Sequence, residues 1–284
     1  MISRPLNQLR DSVANTARVA RFVRGLAEFQ VRPDDVFISS YPRSGTTWMQ
    51  HIMHVLRSNG DTSFGHINEV APWFERSLSL GRMRARDFDA MPSPRIFKSH
   101  LPRRWLPRGA RYVYVQRDGR DVAVSYFHFY RSHLGFTGDF DEFFSRFLTG
   151  SLQYGSWFKH VAGWHAYTHD RTQLIVDYER LRHDLPSEMA RIGSFCGTPL
   201  DAESLTRLAS LCDFNFMREH EQKFDHAAGE PGAQARQHGA FIRRGRSGDH
   251  QSELTAEHRR RFSEQQRRAV RAPTLELQLA EFLR

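Results

Sequence analysis

Short apolar runs alternate with amphipathic stretches along this chain. Four runs rich in Val, Ile, Phe and Tyr are typical of buried strands, and two longer stretches carry apolar residues at helical spacing. Because such alternation is typical of parallel strands covered by helices, it predicts an α/β fold with a central parallel sheet flanked by helices. The predicted strands are 36–40, 95–98, 112–115 and 174–176, and the predicted helices are 46–57 and 119–131.

Residues 1–34 form a separate amphipathic segment with helical spacing. Its apolar side chains lie on one stripe, and its arginines fall mostly on the other side. Such a pattern favours a surface helix packed on the domain. The alternative is a peripheral membrane contact, in which the helix touches an anionic lipid surface. The stripe consists of Val19, Phe22, Val23, Leu26 and Phe29, and the arginines are Arg10, Arg18, Arg21 and Arg24.

Composition places the chain among ordinary globular proteins. Its 284 residues are 39 % hydrophobic and 26 % charged, which excludes disordered and low-complexity classes. The formal net charge of +9 predicts an anionic partner, whether nucleic acid, membrane or phosphorylated small molecule. Cys196 and Cys212 have no paired spacing, so a disulfide framework is not expected. With no signal-peptide pattern and no long apolar run, the sequence predicts a cytoplasmic protein.

The first candidate site is the segment 41–48, which joins a predicted strand to a predicted helix. Backbone N–H groups of such a turn, with the helix N-terminus behind them, bind anions, and Gly45 lets the backbone approach a ligand closely. A polar N-cap without a ligand is the alternative. The P-loop pattern G-x-x-x-x-G-K-[ST] is absent. The polar side chains of the turn are Arg43, Ser44, Thr46 and Thr47.

Three further segments carry candidate chemistry. Arg117 ends the third predicted strand and Ser125 lies on the helix that follows, so that both could hold one phosphate. Open α/β sheets bind ligands at the carboxyl ends of their strands, where His100 also lies, and this position favours a general base. The fourth segment, 241–248, places three arginines beside two glycines, which could close over a phosphate or remain solvated.

Taken together and in this order, the four segments resemble the cytosolic sulfotransferase family, whose donor is 3′-phosphoadenosine 5′-phosphosulfate (PAPS). The similarity runs from about residue 35 to residue 251. It implies a single α/β domain over 1–284, related to the P-loop nucleotide kinases. Such an enzyme transfers the sulfuryl group of PAPS to an acceptor hydroxyl or amine without a metal, and releases the 3′,5′-bisphosphate PAP. The matches are 41–48 to Y-P-K-S-G-T-T-W, 98–102 to K-T-H-L-P, 117–129 to the 3′-phosphate motif and 241–245 to F-M-R-K-G.

The resemblance also implies roles for individual residues. The turn residues Arg43, Ser44, Gly45, Thr46 and Thr47 would hold the 5′-phosphosulfate. Trp48 and Phe214 would flank the adenine, and Tyr178 would contact it. His100 would accept the proton of the acceptor, while Lys98 and Arg43 stabilise the transferring group and the leaving phosphate. The 3′-phosphate would be held by Arg117, Ser125 and the segment of Phe241, Ile242, Arg243, Arg244 and Gly245.

The chain departs from the family pattern at several positions. Arg43 replaces a lysine; it keeps the charge but is larger, planar and not expected to donate a proton. Gln251 stands where the family has a lysine. Only Thr255 remains of the family's dimer motif, so the family dimer is not carried over to this chain.

The acceptor is predicted to be a small molecule or lipid bound near His100. An aromatic pocket favours the hydroxyl of a phenol, sterol, lipid or natural product over that of a bare sugar, although core packing must explain several of its candidate residues. The loops 81–94 and 221–240 are expected to shape or cover this pocket. The candidate pocket residues are Trp73, Phe74, Phe127, Phe129, His133, Phe136 and Tyr154.

Two other functional classes share part of this pattern. A nucleotide or nucleoside kinase would share the core, but the Walker lysine pattern is missing. A non-catalytic nucleic-acid-binding protein would explain the net charge, but the basic residues are interspersed with acidic ones and no DNA- or RNA-binding motif is present. No nucleic-acid partner is therefore expected.

Overall fold

The computed structural model describes residues 3–225, 241–243 and 245–271. Within this part of the chain, four strands form one parallel sheet in the order β2-β1-β3-β4. The predicted α/β fold is confirmed, and each strand differs from its predicted bounds by at most one residue at either end. The strands are β1 (Val36–Ser39), β2 (Ile96–Ser99), β3 (Arg111–Gln116) and β4 (Gln173–Asp177).

Helices connect the strands and cover the sheet. Both helices predicted from the apolar pattern are present, and each ends one or two residues later than predicted. The described helices are α1 (Ser3–Glu28), α2 (Thr46–Ser58), α3 (Phe74–Ser79), α4 (Gly119–His133), α5 (Phe140–Thr149), α6 (Trp157–His165), α7 (Tyr178–His183), α8 (Leu185–Cys196), α9 (Ala202–Ser210), α10 (Phe214–Glu219), α11 (His250–Glu253) and α12 (Ala256–Arg271).

The register of the sheet brings the ends of the strands together. Ser39 of β1 is aligned with Ser99 of β2, and Gln116 of β3 is aligned with Asp177 of β4. Because the strands run parallel, the segments that follow them leave the sheet at one edge. This edge therefore collects the candidate residues that come directly after the strands.

Successive residues of a strand point to opposite faces of the sheet, and both faces are buried here. In β1, Val36 and Ile38 belong to a core cluster that includes Ile52 of α2. Phe37 points the other way and stacks on Phe97 of β2, with ring centres 4.9 Å apart. Burial of a large apolar side chain contributes about 1.5–3 kcal/mol, so these two clusters hold helices against both faces.

α1 packs on the aromatic face of the sheet. Phe22 and Phe29 are buried, and their ring centres lie 6.5 and 5.0 Å from that of Phe74 in α3. Val23, which the sequence assigns to the same stripe, is 49 % exposed. It lies about 100° around the helix from Phe22, since a helical turn takes 3.6 residues. Among the described helices, none combines the length and apolar character needed to span a membrane.

The structure describes only part of the chain between α10 and α11. The predicted loop 221–240 is described only to residue 225 and begins with the 3-10 turn Glu221–Lys223. Residues 226–240 and Arg244 lie outside the described residues, and the predictions made for them stay predictions.

Cys196 and Cys212 are both free and buried, so this pair forms no disulfide.

Candidate active site

A cavity of about 380 Å³ lies at the edge of the sheet where the strands end. Most of the residues predicted from the four sequence segments line it. Ser44 is buried in the turn and does not line the cavity. The predicted residues that line it are Arg43, Gly45, Thr46, Thr47, Trp48, Trp73, Lys98, His100, Arg117, Ser125, Phe129, His133, Tyr154, Tyr178, Phe214, Phe241, Ile242, Arg243 and Gly245.

The turn between β1 and α2 presents a helix N-terminus to the cavity. Gly45 precedes α2 with φ 100°, and as a glycine it has no side chain to cap the helix. A side-chain carbon at Gly45 would lie 2.7 Å from Cδ2 of Tyr178, so glycine is required on steric as well as conformational grounds. The positive end of the helix dipole therefore faces the cavity through backbone that only glycine allows.

Arg43 lines the cavity and joins the turn to α4 and to the fourth sequence segment. Its Nε donates to Oγ of Ser125 at 3.3 Å, and its Nη2 donates to the backbone oxygen of Phe241 at 2.9 Å. Burial, with a further contribution from Arg117, lowers the pKa of Arg43 to about 10, which leaves it cationic at neutral pH. Its φ of 69° is in the left-handed region, which costs a non-glycine residue about 1–2 kcal/mol. Such strain is typical of functional turns.

Arg117 joins the first and fourth sequence segments. Its Nη1 donates to the backbone oxygen of Arg43 at 3.1 Å, and its Nη2 donates to that of Arg246 at 2.8 Å. Nε of Arg117 is buried and has no hydrogen-bond partner within the described ranges. A buried guanidinium of this kind fits an anionic ligand, which would supply the missing acceptor.

The fourth segment is held in place by Asp121, which the sequence analysis did not single out. This buried carboxylate on α4 accepts from the backbone N–H of Gly248 at 2.7 Å and from Nδ1 of His250 at 2.8 Å. In the same segment, Arg243 donates to Oδ2 of Asp249 at 2.6 Å. The only hint of Asp121 in the sequence is its place in the motif 117–125, because its partners lie well over one hundred residues away.

Three aromatic side chains form a slot beside the turn. The rings of Trp48 and Tyr178 meet edge to face at 5.7 Å, and Nε1 of Trp48 donates to the backbone oxygen of Cys212 at 2.6 Å. Phe214 begins α10 next to Cys212 and Asp213, which brings it to the same side of the cavity. A flat ring bound beside the turn would therefore contact aromatic surface.

His100 lies at the end of β2 with its ring orientation fixed by the backbone. Its Nδ1 is 2.8 Å from the backbone oxygen of Ser40, and a carbonyl can only accept, so Nδ1 carries the proton. In the neutral ring, Nε2 is then the basic nitrogen. Burial, and next the charge of Lys98, hold the pKa of His100 well below its ordinary value of 6.5. The imidazole is therefore neutral at neutral pH.

Glu75 and Lys98 surround His100, and the role of Glu75 was missed in the sequence analysis. Oε1 of Glu75 accepts from the backbone N–H of His100 at 2.8 Å and from Nε1 of Trp73 at 2.6 Å. Burial raises the pKa of Glu75. Burial also holds the pKa of Lys98 well below 10.5, although the carboxylate of Glu75 opposes this shift. One buried carboxylate thus positions the backbone of His100 and the indole of Trp73, and its charge acts on Lys98.

Two rings form a wall against His100. The ring centres of Trp73 and Tyr154 lie 5.1 and 5.3 Å from that of His100. Phe129 and His133 of α4 also line the cavity, with ring centres 4.6 Å apart. Because these two residues are four apart on a helix, they share its cavity-facing side.

Three other aromatic residues predicted for the pocket belong to the core instead. Phe74 is fully buried against Phe22 and Phe37, so its neighbour Trp73 takes the cavity wall. Phe127 lies two residues from Phe129 on α4, which turns it away from the cavity and onto Phe143. Phe136 packs in the same cluster. None of the three lines the cavity.

The prediction that the loop 81–94 shapes the pocket is also wrong, since none of its residues lines the cavity. This segment contains the 3-10 turn Ala85–Ala90, and Phe88 is buried with its ring centre 5.9 Å from that of Phe29, the residue directly after α1. Asp89 accepts from Nη1 of Arg95 at 3.0 Å. The loop therefore packs on the residues that follow α1 and precede β2, and not on the cavity.

The arrangement defines a group-transfer enzyme for a polyanionic nucleotide-like ligand. An open helix N-terminus, several buried cations and an aromatic slot form one half of the cavity, and a neutral histidine against an aromatic wall forms the other. Within the described ranges, no group of His, Cys, Asp and Glu is placed to hold a metal ion.

Comparisons with known proteins identify the family. A sulfotransferase domain model matches residues 33–272. Sulfotransferase 1C2 of Rattus norvegicus is 33 % identical over 250 residues, or 83 % of this chain and 83 % of that protein. The structure of mouse sulfotransferase SULT7A1 complexed with PAP aligns with a TM-score of 0.70 and 25 % identity, over 90 % of this chain and 91 % of that one. Retinol dehydratase in complex with retinol and PAP aligns with a TM-score of 0.69 and 27 % identity, over 89 % and 86 %.

This chain belongs to the family of PAPS-dependent sulfotransferases. It is accordingly an enzyme that transfers a sulfuryl group to a small acceptor. The kinase and nucleic-acid-binding alternatives are set aside by these matches and by the site.

Proposed function

We propose that this sulfotransferase acts on a hydroxyl group of a small aromatic or lipophilic molecule, with His100 as general base. The observation that carries the proposal is the hydrogen bond from Nδ1 of His100 to the backbone oxygen of Ser40, because it makes Nε2 the basic nitrogen. His100 lines the same cavity as the turn at Gly45 and contacts the aromatic wall of Trp73 and Tyr154. An acceptor on that wall and a donor on the turn would meet beside it.

The donor half fits PAPS, which supplies an activated sulfuryl group. The N-terminus of α2 and Arg43 would hold the 5′-phosphosulfate. The slot of Trp48, Tyr178 and Phe214 would hold the adenine. Arg117, Ser125 and the segment from Phe241 to Gly245 would hold the 3′-phosphate, and the unpartnered Nε of Arg117 supports this assignment.

Replacement of Gly45 by alanine tests the donor half. The added Cβ would lie 2.7 Å from Tyr178 at a φ of 100°, so the turn or the aromatic slot must shift. We expect the Kd for PAP, measured by calorimetry, to rise at least about tenfold, since left-handed backbone costs a side chain about 1–2 kcal/mol. The control is Gly163→Ala on α6, where an added Cβ meets no atom within 4 Å. Equal Kd values for the two variants would contradict the assignment of the turn.

The acceptor half supplies the base and the charge stabilisation. As the acceptor oxygen attacks sulfur, a bond from sulfur to the new oxygen forms and the bond from sulfur to the phosphate oxygen breaks in line. Nε2 of His100 takes the acceptor proton, and PAP leaves with the negative charge. Lys98 and Arg43 stabilise this charge electrostatically, which needs no proton transfer from either.

The basicity of the site favours an acidic hydroxyl. A lowered pKa makes His100 a weaker base. A weaker base deprotonates a phenol more readily than an aliphatic alcohol, because the pKa of the phenol is closer to its own. Retinol is bound by one relative of known structure, so larger lipophilic hydroxyl compounds remain in the proposed class. A cytoplasmic location and the membrane contact of α1 stay predictions.

Turnover with PAPS tests the proposed function. The purified protein is incubated with PAPS and a panel of simple phenols, aliphatic alcohols, amines and sugars, and both PAP release and the sulfated product are measured by mass spectrometry. We expect turnover to be fastest with phenols and absent with sugars. Transfer to sugars alone, or PAP release without any sulfated acceptor, would contradict the proposal.

A further inference from the structure

A second buried histidine contacts the main chain of the proposed base. His160 lies on α6, and its Nε2 is 3.1 Å from the backbone oxygen of His100. A carbonyl oxygen can only accept, so Nε2 of His160 carries a proton and donates it. Burial lowers the pKa of His160 to about 4, so its ring is neutral at neutral pH. His160 is therefore an uncharged donor to the backbone of His100.

Tyr114 of β3 favours the same tautomer of His160 from the other side of the ring. Its hydroxyl oxygen is 3.0 Å from Nδ1 of His160, and both side chains are buried. In the neutral ring with Nε2 protonated, Nδ1 is an acceptor, so the tyrosine hydroxyl donates to it. Burial raises the pKa of Tyr114, which keeps the hydroxyl protonated. The two bonds form a directed chain from Tyr114 through His160 to the carbonyl of His100.

Buried side chains thus bind both backbone groups of His100. Its N–H donates to Oε1 of Glu75 at 2.8 Å, and its oxygen accepts from His160. His100 directly follows β2, beyond the last aligned pair of β1 and β2, which is Ser39 and Ser99. Because buried backbone groups need hydrogen-bond partners, α3 and α6 supply them where the strand has ended. The main chain that carries the base is held from two helices.

The position of this main chain determines where the basic nitrogen points. Nδ1 of His100 is bound to the backbone oxygen of Ser40, so a shift of the His100 backbone displaces or tilts the whole ring. A displacement of about 1 Å from the reactive geometry can lower a rate by about 10²-fold. The neutral state of His160 also matters, because a charge on it would lower the pKa of His100 further, as the charge of Lys98 does.

We propose that His160 is a positioning residue for sulfuryl transfer: its Nε2–H, oriented by Tyr114, holds the carbonyl of His100 so that Nε2 of the base faces the acceptor hydroxyl. The inference rests on the proposed function, in which His100 is the general base. His160 does not line the cavity, so it acts on the reaction through His100 and not through contact with a substrate.

Two variants separate the hydrogen bond of His160 from the space that it fills. His160→Gln keeps an N–H donor, since Nε2 of glutamine is as many bonds from Cα as Nε2 of histidine, whereas His160→Leu has none. Single turnovers with saturating 4-ethylphenol and enzyme in excess over PAPS isolate the transfer step. We expect the rate to fall by about 10- to 10²-fold in His160→Leu and by less than about threefold in His160→Gln. The Kd for PAP should stay within about twofold in both.

His54→Leu is the control for the loss of a buried histidine. His54 lies on α2, its pKa is likewise lowered to about 4 by burial, and its Nδ1 is 2.9 Å from Nη2 of Arg57. It does not line the cavity, so we expect its variant to keep the wild-type transfer rate within about twofold. Urea unfolding of each variant establishes that the enzyme is folded under the conditions of the assay.

A double-mutant cycle distinguishes positioning from a structural role. When His100→Ala has removed the base, adding His160→Leu should change the rate less than about twofold, because no imidazole is left to position. Equal losses from His160→Leu in both backgrounds would overturn the inference, as would equal losses in His160→Leu and His160→Gln. These outcomes leave the sulfotransferase assignment and the base standing. A wild-type rate in His100→Ala, in contrast, would overturn the proposed general base and this inference with it.

Discussion

Replacement of His100 by alanine is expected to lower kcat by about 10²- to 10⁴-fold, the range typical of a lost general base. The variant removes the basic Nε2, while the backbone N–H that Glu75 binds is retained. The Kd for PAP should stay within about twofold of the wild-type value, because no phosphate contact is assigned to His100. Stopped assays of sulfated product, together with calorimetry of PAP binding, measure both quantities.

The pH dependence of the wild-type enzyme distinguishes a base from a structural histidine. The active form is the neutral imidazole, and burial beside Lys98 holds the pKa of His100 well below 6.5. We therefore expect the acid limb of kcat/KM for PAPS, which reports the free enzyme, to lie below pH 6.5. His169→Ala is the control, since His169 is exposed. A His100→Ala enzyme with wild-type turnover, or an acid limb above pH 7, would contradict the assigned mechanism.

The free energy of unfolding is expected to fall by at least about 5 kcal/mol between pH 7 and pH 5. Burial lowers the pKa of His51, His54 and His160 to about 4, and all three side chains are almost fully buried. In the unfolded chain each has a pKa of about 6.5. The unfolded state therefore binds more protons between pH 6.5 and pH 4, and each histidine removes about 1.4 kcal/mol per pH unit over that window.

Urea unfolding at a series of pH values measures this slope. In His51→Gln, one titrating group is removed while a side-chain N–H remains near the backbone oxygen of Leu211, which accepts from His51 at 2.7 Å. The slope should become shallower by about 1.4 kcal/mol per pH unit. His169→Gln, at an exposed position, should leave the slope unchanged. Stability that is constant from pH 7 to pH 5 would show that these histidines are not held neutral by the fold.

The donor half of the site could be predicted from the sequence because its signals are local. A strand, a turn with Gly45 and a helix are encoded within a few residues, and parallel strands bring the ends of such units together. Arg117 and His100 follow their strands directly, so the same reasoning placed them at this edge. The family resemblance added roles to positions that the alternation of strands and helices had already located.

The acceptor half depended on facts that no local pattern contains. Trp73 and Phe74 are neighbours with similar hydrophobicity, yet only the packing of Phe74 against Phe22 and Phe37 decides that Trp73 takes the cavity wall. Along α4, Phe129 lines the cavity and Phe127 does not, because the side of the helix that carries Phe127 packs against Phe143. The roles of loop 81–94 and of Glu75 likewise follow from contacts with distant elements.

The amino-acid sequence by itself determined the α/β class, the strand ends and the basic, anion-binding character of this protein, since these depend on short-range periodicity and on residue type. Only the tertiary structure decided which charges face the reacting groups. Asp121 holds a segment that follows it by well over one hundred residues, and Glu75 reaches His100 because α3 packs beside β2. Long-range packing selects one side of each helix, and with it the residues that an acceptor can meet.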